Sequence, residues 1–144
     1  MKLALTILFL TIFTIGTIDA SVKPRTKVKI TQNTVSSLIE GLNSENLGLK
    51  SSSAYMIGEL QLSKAVIPLM KILREDESDE MRIAAALALY KIGTPIAIHA
   101  VKQSIKFDDS ERVSKLCANF YSEYQRIKFN DEEKYEDTVK TAVK

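Results

Sequence analysis

The chain has 144 residues, with 20 lysines and arginines against 18 aspartates and glutamates, one cysteine, one histidine and no tryptophan. Its 45% hydrophobic and 26% charged residues are a globular composition, and 5 glycines with 3 prolines exclude a turn-rich sandwich or barrel in favour of long helices. One cysteine excludes an intrachain disulfide, one histidine leaves too few ligands for a histidine-based metal site, and a net charge of +2 implies neither nucleic acid nor an acidic membrane as partner.

Met1-Lys2 is a short positive start, and Leu3 to Ile18 is then apolar apart from four threonines and Gly16. Asp19-Ala20 follows, with a small residue where a signal peptidase cuts, so residues 1–20 read as a secretory signal cleaved after Ala20. The apolar run of 16 residues is shorter than the roughly 20 needed by a spanning helix. Ile18, bulky for its place, and the basic flank Lys23, Arg25, Lys27 and Lys29 leave an uncleaved membrane anchor as the second reading. The first expectation is a periplasmic or secreted protein; the second is a membrane-anchored one. Removing residues 1–20 takes one cation and one carboxylate, so the charge stays +2.

Residues 21–32 read as an extended linker in which basic and apolar side chains alternate (VKPRTKVKI, Val22 to Ile30). Beyond Thr31 the period changes to 3.6. Val35, Leu38, Ile39 and Leu42 fall at i, i+3, i+4 and i+7 and predict a helix capped by Thr31 or Asn33. Further helices are predicted over 49–60, 65–73, 81–92, 96–105 and 113–124. Residues 126–144 predict a C-terminal cap helix or tail, started by Asn130 or Asp131, with Tyr135, Val139 and Ala142 as a thin stripe.

At an offset of 32 the chain matches itself. LKSSSAYMIGEL (Leu49–Leu60) lies over MRIAAALALYKI (Met81–Ile92), and that segment over VSKLCANFYSEY (Val113–Tyr124). Leu49, Met81 and Val113 correspond, as do Ala54, Ala86 and Ala118, and Ile57, Leu89 and Tyr121. The first helices and turns repeat too: Leu69 over Val101, Leu73 over Ile105, Asp76 over Asp108, Ser78 over Ser110. A hairpin of about 32 residues cannot bury both its faces, so neighbours stack into one elongated core. The predicted fold is all-α, a short α-solenoid of three antiparallel helix hairpins over residues 33–125.

The central unit resembles a HEAT repeat of the subtype found in phycobilin-lyase-like proteins. Pro68 stands at that family's first-helix proline, Asp76 at its turn aspartate, Met81-Arg82 at its Val-Arg pair, and Ala85, Leu89 and Ile92 at the core positions that follow. Leu49-Lys50, Ala54 and Met56-Ile57-Gly58-Glu59-Leu60 repeat the pattern upstream; downstream Ala100, Ser114 and Cys117 replace proline, arginine and alanine. The resemblance implies a right-handed superhelix and a scaffold. It also implies that Asp76 and Arg82 bond along the stack, and that Cys117 packs as a buried, inert thiol, the alternative being an interchain disulfide in an oxidising compartment.

The acidic turn Glu75-Asp76-Glu77-Ser78-Asp79-Glu80 lacks the glycine and the terminal glutamate of a calcium loop, and Ser78 or Asp79 as helix cap accounts for it. His99 has no acid or nucleophile placed to make it a base and reads as a surface residue. Compared with the family, Ile83 and Leu87 stand where polar residues are common, and Tyr90 stands where glycine is usual. Their spacing puts all three on one helix face, with Tyr55 the equivalent of Leu87 one repeat earlier. They form a candidate partner-binding patch, the alternatives being that the C-terminal helix covers it or that Leu87 belongs to the core.

The expected activity is binding of another protein, or of a second copy, with no catalytic residues, no cofactor and no metal. The competing class, cofactor handling as in bilin lyases with related repeats, is opposed by the export signal, by one histidine and by the lack of a Cys/His/Glu cluster.

Overall fold

The computed structural model describes residues 30–142, so the expected signal (1–20) and most of the expected linker lie outside the described residues. Among the described residues there are six α-helices and no strand: α1 (Gln32–Gly41), α2 (Leu47–Glu59), α3 (Val66–Glu75), α4 (Asp79–Ile92), α5 (Pro95–Phe107) and α6 (Glu111–Ala142), with a 3-10 turn at Ser63–Ala65 before α3.

Short polar side chains start these helices. The Thr31 hydroxyl accepts from the Thr34 N–H and closes a capping box, so α1 begins one residue before the predicted domain boundary. Asn46, Ser78 and Ser110 stand 32 residues apart, and each accepts from the N–H three residues on, at Leu49, Met81 and Val113. Each capping residue is itself held from behind. Its N–H donates to Ser44 Oγ, Asp76 Oδ1 and Asp108 Oδ1 respectively, so the same pair of bonds recurs in each turn. Gly93 ends α4 at φ 68°, a conformation that a side chain resists, and Pro95 then opens α5 with a φ already suited to a helix.

Three hairpins, α1–α2, α3–α4 and α5–α6, stack as layers. The second helices α2, α4 and α6 form one row, and α3 lies beside α5 in the other. Their shared core runs from Leu42, Ala54 and Ile57 through Leu69, Leu73, Met81 and Leu89 to Val101, Val113 and Cys117. This arrangement is a short α-solenoid.

The C-terminal region differs from the expectation. Residues 126–142 are not a separate cap helix started at Asn130 or Asp131; α6 runs unbroken for 32 residues. No glycine or proline falls between Glu111 and Ala142, so nothing interrupts propagation of a helix already nucleated in the stack. At about 1.5 Å per residue, α6 is roughly 48 Å long against about 21 Å for α4, and its second half projects beyond the layers. From Gln125 to Tyr135 every side chain is exposed.

Candidate functional site

The row of second helices carries the residues singled out in the sequence, and the structure treats them differently. Ile83 is half-buried and packed against the core, while Leu87 is half-buried without joining it. The Tyr90 ring stacks on Phe120 of α6, with centroids 5.7 Å apart and planes at 16°. Tyr55 is exposed on α2, and the Lys91 ammonium sits 5.0 Å from its ring centroid. Phe120, in the packed half of α6, covers Tyr90 and leaves Tyr55 open.

The 32-residue register explains why the two interfaces in this row differ. Gly58 and Ala88 occupy the positions that Tyr90 and Phe120 occupy one layer later. At the first interface backbones meet directly: a Cβ at Gly58 would lie 2.9 Å from the Ala88 Cα. At the second, two stacked rings separate α4 from α6. Sequence patterning exposes the bulky residues at 90 and 120, but not that they find each other.

Ionic rungs frame this face. Lys91 pairs with Glu59 across the first interface. The hydrogen bond between them, rather than burial, holds the glutamate below its ordinary pKa and the lysine above its own. Glu123 and Arg126 make a second pair at 2.6 Å on α6. The exposed face therefore has an aromatic and aliphatic centre, Tyr55 and Leu87, with charge at one margin.

The opposite edge is structural in geometry. Lys50 pairs with Asp76, and Arg82, 32 residues later, pairs with Asp108 through Nε at 3.1 Å. Arg82 also donates to Asp79 at 2.7 Å and to the Asp76 carbonyl at 2.7 Å. Burial works to lower the Arg82 pKa, and the bond to Asp108 with the charges of Asp79, Asp108 and Asp109 outweighs it, leaving the pKa raised. Asp79 binds Ser110 in turn. Asp76 and Arg82 thus bond forward and backward along the stack, with carboxylates satisfied by cations and backbone N–H groups.

Pro68 is half-buried in the first turn of α3, where no intrahelical N–H is lost. Cys117 is fully buried, and burial, with a smaller contribution from Asp108, pushes its thiol up to about 11. Among the described residues no group of three or more His, Cys, Asp or Glu is placed to hold a metal.

A groove of about 510 Å³ between α3 and α5 was not foreseen in the sequence. Its walls include Met70, Leu73, Arg74, His99, Gln103 and Phe107. His99 is exposed, and its Nε2 lies 3.2 Å from the Gln103 amide, with no nucleophile or carboxylate bonded to it. Its lining is drawn from side chains of two different hairpins, a proximity that the linear pattern does not show.

Among the described residues no helix is long and apolar enough to cross a membrane. No curated protein matches the chain. A family model described as HEAT repeats matches residues 35–119, from the middle of α1 into α6 and over more than half of the sequence. With the repeated turns and the stacked hairpins, that match places the chain in the HEAT-repeat family.

Proposed function

We propose that this protein is a non-catalytic binding module that recognises another protein through the row of second helices, in the cell envelope or outside the cell. HEAT repeats generally mediate protein–protein interaction. The observation that carries the reading here is the exposed Tyr55 beside the half-buried Leu87, on a face with ion pairs along one margin. Exposed aromatic side chains surrounded by polar groups are the usual anchors of protein interfaces. Export rests on the sequence of residues 1–20 alone. Tethering by an uncleaved N-terminus is the second reading, favoured by the four cations between Val22 and Ile30.

A photo-crosslinking residue placed at Tyr55 in the native host tests the site. The expected result is one discrete adduct, absent when the same residue replaces Gln103 on the far side of the stack. Leu87→Asp should remove the adduct while the far-ultraviolet circular dichroism is kept. An adduct from position 103 alone would move the site to the α3–α5 groove. N-terminal sequencing after cell fractionation tests location: a chain starting at Ser21 in the periplasm or medium supports export, and one starting at Met1 in membranes supports the tether.

A further inference from the structure

The net charge of +2 hides an uneven distribution over the two rows of helices. Every ion pair among the described residues takes its cation from α2, α4 or α6. The first helices α3 and α5 carry Lys71, Arg74, Lys102 and Lys106 against one carboxylate, Glu75. Lys71, Arg74 and Lys106 are exposed and form no ion pair among the described residues. Lys102 sits 5.3 Å from the Tyr121 ring centroid, a contact that leaves its charge uncancelled. On α1 there is no cation and one carboxylate, Glu40, so the basic face is confined to α3 and α5. Asp109, just beyond α5, is an exposed acid at its edge.

The same face exposes large apolar side chains. Ile67 is 64% exposed on α3, and Ile96 and Phe107 are 51% and 75% exposed on α5. At about 100° per residue, Ile67, Lys71 and Arg74 fall within roughly 60° of one another, while the buried Leu69 and Leu73 point the other way. Ile96, Lys106 and Phe107 likewise span about 100°, opposite the buried Ile98 and Val101. Arg74 and Phe107 line the groove between the two helices, so cation and ring belong to one surface. Exposed Ile and Phe set among Lys and Arg are the pattern of an element lying in the headgroup layer of a membrane. Three of the four cations are lysines, which are depleted in protein interfaces. A lysine is a point charge on a flexible stem, suited to mobile phosphates, whereas fixed carboxylates favour the arginine fork.

We propose that the outward face of α3 and α5 docks on an anionic phospholipid surface. Ile67, Ile96 and Phe107 enter the headgroup layer, and Lys71, Arg74, Lys102 and Lys106 sit at its phosphates. The row of second helices is then turned away from the lipid and stays open to a protein partner. The docking does not depend on residues 1–20, because the contact is made by the stack itself.

The chain has no tryptophan, so Phe107→Trp in the full chain reports from this face alone. Vesicles of phosphatidylglycerol and phosphatidylcholine in equal parts, with brominated acyl chains, should quench its fluorescence, and vesicles of brominated phosphatidylcholine alone should not. Each cation near an anionic surface is worth about fivefold in partitioning. Adding Lys71→Gln and Lys106→Gln should therefore weaken docking about 25-fold and remove the quenching, with circular dichroism unchanged. Salt at about 0.5 M, where the Debye length falls to about 4 Å, should remove it too. Ile96→Trp replaces the reporter if Phe107→Trp alters the melt. Equal quenching in the two vesicles, or quenching that survives the two glutamines, would overturn the proposal. So would quenching of Tyr55→Trp in place of Phe107→Trp, which would put the second helices on the lipid. Capture of the chain by soluble polyglutamate, with no quenching in either vesicle, would also overturn it and give the face to an acidic protein.

Discussion

Arg82 holds four groups at once: the Asp108 carboxylate on the next turn, the Asp79 carboxylate, and the carbonyls of Asp76 and Glu77. Removing it leaves Asp108, whose side chain is nearly buried, without its cation. Arg82→Ala is expected to cost about 3 kcal/mol, as when one partner of a buried pair is removed. Arg82→Lys should recover only part of that, since an ammonium cannot reproduce the planar fork. Urea denaturation of both variants checks the order. Gly58→Ala sets two effects against each other. Alanine gains up to about 1 kcal/mol of helix propensity, but its Cβ meets the Ala88 backbone at 2.9 Å. Backbone cannot yield as a side-chain tip does, and overpacking costs about 1–3 kcal/mol, so the variant should be destabilised; a raised melting temperature would contradict the close approach of α2 and α4.

At the scale of elements, α6 combines a packed half with a projecting half. Val113 and Cys117 are fully buried, while Phe129 and Tyr135 are among the most exposed large side chains of the described residues. A free helix of this length is marginal in water, and the projection persists because it extends a nucleus already paid for by packing. A stop codon after Lys128 should therefore lower helical circular dichroism while moving the melting temperature by no more than about 2 °C. A larger drop would show that the projection folds against the stack. The continuity of α6 was not legible in the sequence. Asn130 is the same residue type as Asn46, which starts α2, and a capping residue is distinguishable from a mid-helix polar residue only where the preceding turn ends. What was legible was a role that repeats: Ser78 as a cap with Ser110 in register with it, and Leu69, Leu89 and Val101 as core. The exposure of Leu49 was not, because the offset of 32 makes it equivalent to Met81 and Val113, which are both buried.

For the whole molecule, one core crosses all three hairpins, and α4 touches α2, α3, α5 and α6. A chain cut before Ala97 removes α5 and α6, and with them the packing that α3 and α4 make against the following layer. Losing the burial of a single leucine-sized side chain is worth about 1.5–3 kcal/mol, against a total stability of roughly 5–15 kcal/mol. Deleting residues 97–144 is therefore expected to leave a chain with a broad, non-cooperative thermal transition. A sharp melt of that truncated chain would show that the first two hairpins hold a core of their own.

The cross-links at the turn edge also give the array a direction. Each layer sends a cation forward to the acid of the next turn, Lys50 to Asp76 and Arg82 to Asp108. The first turn offers Ser44 in place of that acid, and the last layer offers Ser114 in place of that cation, its hydroxyl turned back onto the Ile105 carbonyl at 2.6 Å. Neutral residues stand at both ends of the three described layers, so the cation-to-acid link is made at both junctions inside the stack and at neither of its outer turns.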